Sequence, residues 1–290
     1  MPASIEVPER VRLPTDARIG RADLRVADLG RAIEFYRDLL GLELTAGRDG
    51  RTALAAEGGS ELLTLREVPG IQRRPARPRS TGLYHVALLV PTRRDLGRAL
   101  LGLNAAGYPL RGLSDHTVSE SIYLDDPDGN GLEIYADRPR SSWQWNNGKV
   151  HITTDPMDVE GVIAAAEKTG DDSQWGGLPS STVVGHIHFT VANLDASVGF
   201  YRDVVGLDEV IRMPTLSGVS AGGYHHHLNL NTWAGAGAPP DSDRVAGLDS
   251  WQLVVTDSVA REALARRLQP YSNGSAAASD PDGTALHVVV

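Results

Sequence analysis

Residues 19–45, IGRADLRVADLGRAIEFYRDLLGLELT, and residues 184–210, VGHIHFTVANLDASVGFYRDVVGLDEV, align without a gap at a constant offset of 165. Phe35-Tyr36 answers Phe200-Tyr201, and Gly41-Leu42 answers Gly206-Leu207. A weaker pair keeps the same step. Gly82 opens GLYHVALLV and Gly247 opens GLDSWQLVV, each 62 residues after Gly20 and Gly185 respectively. Both later stretches run on to the words DPDG, at Asp126–Gly129 and Asp280–Gly283. Self-similarity at a fixed period sets an architecture before any single element is assigned. The chain therefore holds four related units, arranged along the sequence as two pairs.

Within a unit, two periodicities are readable. Ile187, Phe189 and Val191 alternate with His186, His188 and Thr190, the pattern of a half-buried strand. Asp28 and Asn193 stand as N-caps before Leu29–Leu39 and Leu194–Val204, whose apolar positions recur at three and four residues. Gly41 and Gly206 are placed to stop those helices. Three short strands are predicted next, over 42–45, 51–57 and 61–66 in unit one and over 207–212, 217–221 and 225–233 in unit three. Each unit reads β-α-β-β-β. One helix covers one face of four strands, so the other face must meet another unit or a ligand. The expected division is a tail over 1–18, a first pair of units over 19–137, a structured bridge over 138–183 and a second pair over 184–290. The bridge carries a predicted helix over Met157–Thr169.

Composition narrows the chemistry. The chain has 290 residues and no cysteine. Disulfides, thiolate nucleophiles, zinc-thiolate sites and iron–sulfur clusters are excluded, and a metal must be held by His, Asp or Glu. A formal net charge of −9 without a basic cluster argues against nucleic acid as a partner. No run approaches the roughly 18 apolar residues of a membrane helix, and the first residues lack the apolar core of a secretory signal, so a cytoplasmic protein is expected.

The GHIHFTV strand, the Phe-Tyr helix and DPDGNGLEIY together resemble the vicinal oxygen chelate superfamily, which includes glyoxalase I, fosfomycin-resistance enzymes and extradiol ring-cleaving dioxygenases. SDHTVSESIYLDDPDGNGLEIYADRP and GGYHHHLNLNTW resemble, more narrowly, its catechol 2,3-dioxygenase-like branch. The resemblance implies an α+β fold of four βαβββ modules in two glyoxalase/dioxygenase-type domains, with mixed curved sheets around a metal cavity. It also implies a divalent metal held by a His from the first strand of a unit and a Glu from the last. The first-strand slots here contain Arg21, His85, His186 and Ser250, and the last-strand slots include Glu133 and His287. Units one and four depart from the pattern, because Arg and Ser are not ligands. If unit two pairs with unit three, His85, Glu133 and His186 make a two-His, one-carboxylate face that suits Fe(II); Mn, Zn or Ni are the other metals such cavities take.

Strand parity agrees: Leu132 and Ile134 would pack on the helix, turning Glu133 and Tyr135 into the cavity, and His85 likewise. The alternative for Glu133 is a salt bridge to Arg138 or another Arg across the sheet. His188, His227 and Tyr135 are the candidate proton carriers, with His188 and His227 also open to ligation. His116, His225, Asn229 and Tyr123 are candidate substrate contacts. His226 is expected on the covered face of a strand running through 225–233, His151 is expected to be structural, and core packing is the default for Trp233. The DPDG words read as turns, not calcium loops.

The expected function is extradiol ring cleavage of a small aromatic diol with O2, on Fe(II). The alternatives are a glyoxalase-like isomerase or lyase using Zn, Ni or Mn, and a non-catalytic binder of aromatic ligands of the bleomycin-resistance kind. A homo-oligomer is compatible with all three.

Overall fold

Two large β-sheets, each built on one unit from either half of the chain, lie back to back through a shared apolar core, and two short strands of the bridge, Trp145–Asn146 and Lys149–Val150, form a separate two-stranded sheet among the described residues. The computed structural model describes residues 11–76, 78–167, 175–272 and 276–290. Unit one comprises β1 (Arg18–Val26), α1 (Leu29–Ile33, widening into a π-type turn over Glu34–Leu39), β2 (Glu43–Thr45), β3 (Thr52–Ala55) and β4 (Glu61–Glu67). Unit two comprises β5 (Gly82–Leu89), α2 (Arg93–Ala105), β6 (Leu110–Asp115), β7 (Ser119–Asp125) and β8 (Gly131–Asp137). The bridge contributes β9 (Trp145–Asn146), β10 (Lys149–Val150), β11 (Asp155–Pro156) and α3 (Val159–Glu167). The last two residues of the helix expected there lie outside the described residues. Unit three has β12 (Val183–Thr190), α4 (Leu194–Gly199, widening over Phe200–Val205), β13 (Asp208–Arg212), β14 (Leu216–Ser220) and β15 (Leu228–Asn231). Unit four has β16 (Gly247–Val254), α5 (Ser258–Leu268), β17 (Ala278–Ser279) and β18 (Ala285–Val289).

The helix starts follow from local chemistry. Asp28 and Asn193 each accept a hydrogen bond at 3.0 Å from the backbone N–H three residues on, at Arg31 and Ala196. The helix ends need glycine, since Gly41 and Gly206 sit at φ 69° and 100°. At Gly41 a β-carbon would also fall 2.3 Å from Gly177 Cα, so the bridge closes over this helix end only because both residues are glycine.

The sheet order decides where the site lies. Seven strands run β17-β18-β16-β1-β4-β3-β2, joining units four and one, and nine run β11-β6-β7-β8-β5-β12-β15-β14-β13, joining units two and three. The first strand of each unit pairs parallel with its last, and first strands of partner units pair antiparallel, β1 with β16 and β5 with β12. Unit two therefore meets unit three. Val86, Leu88, Leu132, Ile134, Ile187, Phe189, Leu228 and Leu230 are all buried in the core, so alternation turns their neighbours to the concave face.

The two sequence words that define the repeat clasp each other across units. Tyr36 Oη donates to Asp126 Oδ2 at 3.0 Å, and Tyr201 Oη donates to Asp280 Oδ2 at 2.7 Å. Asp126 also caps its own turn, accepting from the backbone of Asp128 and Asn130, as Asp280 does from Asp282 and Thr284. The DPDG turns are thus structural sockets for the Phe-Tyr helices. Burial pushes the carboxyls of Asp126 and Asp280 up to about 6.

Candidate metal centre

β5 and β12 lie side by side in the middle of the nine-stranded sheet, with His188 opposite His85 and His186 opposite Ala87. β8 pairs with β5 on the other side and sets Glu133 beside Ala87. The register brings one donor atom each of His85, Glu133 and His186 within 4.8 Å of one another, all three side chains buried. His186 Nε2 lies 3.0 Å from Glu133 Oε2. His85 Nε2 lies 2.9 Å from the same oxygen, off the line of a hydrogen bond, and this buried nitrogen has no hydrogen-bond partner among the described residues.

That orphaned nitrogen tests whether the residues suit an ion. Two ligands at ~2.1 Å from a common ion and at right angles stand about 3.0 Å apart. The spacings around Glu133 Oε2 match, and a buried nitrogen left without a hydrogen bond is a costly arrangement that a bound ion would satisfy. Protonation states agree. Burial alone would raise Glu133, but its pairing and hydrogen bond with His186, with His85 close by, outweigh it and hold the carboxyl well below the usual range. Burial lowers His85 despite the pull of Glu133, leaving a neutral imidazole with a free lone pair. Arg138, the alternative partner for Glu133, is engaged elsewhere, with Asp115 at 2.6 Å and Glu120 at 3.3 Å.

The other candidates fall around this centre. His188 packs edge-on to His85 at 4.9 Å, accepts through Nε2 from Asn231 Nδ2 at 2.9 Å, and is held neutral chiefly by burial. Tyr135 packs on His186 at 4.8 Å, and its hydroxyl meets Tyr224 Oη at 2.7 Å. A β-carbon at Gly185 would fall 1.8 Å from the Tyr135 hydroxyl, so the glycine of GHIHFTV makes room for this ring. His116 donates through Nδ1 to the Thr153 carbonyl at 2.6 Å, which leaves its Nε2 to accept from Tyr123 Oη at 2.7 Å. Tyr123 is half-buried and packs 5.5 Å from His85. Burial first, then the Glu133 charge, raises Tyr123 well above its ordinary value and keeps it a neutral donor. Asn229 sits beside His188 in register, buried, with its Oδ1 unpartnered among the described residues.

The triple histidine departs from the expectation. Regular strand begins only at Leu228, after a turn at Gly222-Gly223, so the alternation assumed for 225–227 does not hold. His226 is not on the covered face. Its ring packs 4.2 Å from His186. His225 Nε2 bonds Asp137 Oδ1 at 2.8 Å, and His227 Nδ1 accepts from the Ala221 backbone at 3.2 Å, so both are tied to the protein. Trp233 also departs from core packing: it is 53% exposed and stands edge-on to Tyr84 and His188 at the rim.

Parity along β15 also turns Asn231 into the cavity, where it meets His188, whereas Tyr84, Asp137 and Tyr224 carry no signal that the sequence analysis used. Asp137 was within reach of parity, two residues from Tyr135 and four from Glu133 on one strand face; the others needed the fold. In the sister sheet the matching slots hold a hydrogen-bonded network. Asp23 accepts from Thr64 Oγ1 and Ser250 Oγ, both at 2.6 Å, and from Arg21 at 2.9 Å. His287 stands in register with Gln252.

Among the described residues, no helix is long and apolar enough to cross a membrane. The chain is 42% identical over 257 residues to the catechol-2,3-dioxygenase of Bacillus subtilis (strain 168), spanning 88% of each chain. It is 28% identical over 139 residues to biphenyl-2,3-diol 1,2-dioxygenase 3 of Rhodococcus globerulus, spanning 47% of this chain and 73% of that one. In fold it is similar to glyoxalase I of Zea mays, with a TM-score of 0.55 at 16% identity over 94% of this chain and 92% of the other. Residues 18–134 match the family described as Glyoxalase/Bleomycin resistance protein/Dioxygenase superfamily. With that match, and a relative of such identity aligned along most of both chains, the protein belongs to the glyoxalase/bleomycin resistance/dioxygenase superfamily.

Proposed function

We propose that the chain is an extradiol-type ring-cleaving dioxygenase, with Fe(II) held by His85, Glu133 and His186 and a small aromatic diol as substrate. The observation that carries the reading is the convergence of three buried donors, two neutral-capable nitrogens and one carboxylate, from the two central strands and β8. These three residues would hold the metal, which would supply Lewis acidity to a diol bound through both oxygens and a site for O2. The identity to the catechol-2,3-dioxygenase supports the choice of reaction.

The chain's own residues shape what reaches this centre. Tyr84 and Trp233 present aromatic edges beside His85 and His188, a surface that favours a planar ring. Tyr123 is a fixed donor whose proton is shared with His116 Nε2, so this pair can give a proton to, or take one from, a substrate oxygen at the half-buried side of the site. His188, neutral and anchored by Asn231, offers a second exchangeable position within the buried side. His227 and His225, which parity had suggested as free cavity groups, act in this reading through their neighbours. The buried histidines and apolar walls exclude water from the bound diol.

The experiment is oxygen-electrode screening of protein loaded anaerobically with Fe(II). Uptake of O2 with a catechol, accompanied by a ring-opened product, is the expected result. Stoichiometric metal with no uptake from any catechol or hydroquinone overturns the reading.

A further inference from the structure

Asp137 lies outside the candidate ligand set, yet two hydrogen-bonded strings start from it and both end against His186. β8 sets Glu133, Tyr135 and Asp137 on one face. In the first string, Asp137 Oδ1 is 2.8 Å from His225 Nε2, and His225 Nδ1 is 2.8 Å from His226 Nδ1. In the second, Tyr224 Oη donates to Asp137 Oδ1 at 3.3 Å and meets Tyr135 Oη at 2.7 Å. The rings that finish the strings, His226 and Tyr135, pack 4.2 Å and 4.8 Å from His186.

The hydrogens along the first string follow from one fact and one premise, a neutral His225. A carboxylate only accepts, so His225 must carry its proton on Nε2. A neutral imidazole has a single N–H, which leaves a lone pair on His225 Nδ1. The short Nδ1–Nδ1 contact then requires His226 to donate, placing its proton on Nδ1. His226 Nε2 is left bare, buried, and without a hydrogen-bond partner among the described residues. A buried acceptor of this kind is costly unless something donates to it.

We propose that Asp137 is a positioning residue acting through His225. It fixes His226 as the Nδ1–H tautomer, so that Nε2 offers a lone pair, not a proton, to a hydroxyl of the ligand bound beside His186. The diol nature of that ligand rests on the proposed function; the tautomer does not.

The test is long-range 1H–15N correlation NMR on the full chain, 15N-labelled at histidine and loaded with diamagnetic Zn(II). The expected spectrum assigns His225 as Nε2–H and His226 as Nδ1–H. Asp137→Asn, which keeps an acceptor oxygen, retains this pattern, and Asp137→Leu loses it. In Fe(II)-loaded protein Asp137→Leu should lower kcat/KM for the diol about 10- to 100-fold with metal content unchanged, and add nothing to the loss caused by His226→Leu. A wild-type spectrum with His226 as Nε2–H, the result an imidazolium at His225 would give, overturns the proposal; so does an unchanged Nδ1–H signal in Asp137→Leu. The wild-type spectrum decides the matter even if the leucine variant fails to fold. The expected tautomers in a protein that cleaves no diol would support this inference and count against the dioxygenase reading alone.

Discussion

Glu133→Gln removes the one negative charge from the proposed ligand set while preserving shape and an acceptor oxygen, so it isolates the metal from the packing. Glu133 is 2% exposed and touches both histidine donors. Changing even an outer partner of a metal ligand costs about 10–100-fold in affinity, so a rise in Kd of about a hundredfold, the top of that range, is expected for a ligand that carries the charge. At free metal equal to about 100 times the wild-type Kd, binding stabilises the native protein by about 2.7 kcal/mol, and the same concentration adds only about 0.4 kcal/mol to a variant bound a hundredfold more weakly. A chain of 290 residues unfolds with an entropy of about 0.6 kcal/mol/K, which converts the difference to about 4 °C in Tm. The assay is calorimetric melting of metal-free protein with and without Zn(II), beside a direct titration of Kd. An equal rise in Tm for wild type and Glu133→Gln, with Kd unchanged, would refute the ligand assignment.

Further expectations concern protons and the clasp. Burial, aided by His225 and His186, lowers His227 to about 3 from an ordinary 6.5. The unfolded chain then binds the proton that the folded chain refuses, so stability is full above pH 6.5 and falls as the pH drops below it. At pH 5.5 this single group costs about 1.4 kcal/mol relative to pH 8, and His227→Gln should flatten urea-unfolding stability between those values by that amount; an unchanged slope rejects the neutral, buried assignment. Tyr123→Phe removes the donor to His116 and should lower kcat by about 100-fold with metal content intact, and full activity in the variant would remove the pair from catalysis. Tyr36→Phe and Tyr201→Phe each delete one clasp bond to a buried aspartate and should each cost about 1–2 kcal/mol, additively, in denaturant titrations. A silent result at one position would show that the two clasps are not equivalent.

The repeat and the strand and helix types were legible because each rests on local order, alternation along a strand, a cap before each helix and a glycine after it; the three metal-ligand candidates came from the family resemblance, with which the alternation at His85 and Glu133 agreed. The offset of 165 also told which positions correspond between units. What alternation could not supply was the exact start of a strand. At residues 224–227 two preceding glycines close a turn before β15 starts, so His226 ends up against His186 where a continuous strand would have turned it away. Position 233 failed for a related reason, since a tryptophan just past a strand end belongs to the rim and has no obligatory face.

Sequence alone determined the four-unit pattern and the residue types able to hold a metal, since both follow from near neighbours along the chain and from what a cysteine-free composition permits. Only the tertiary structure decided which units meet, that Tyr36 and Tyr201 dock on DPDG turns some 90 and 79 residues away, and that Asp137 stands behind the histidines. Those contacts depend on strand register and on two sheets closing over one core. Both are set by long-range burial, which leaves no short-range periodicity in the chain to be read.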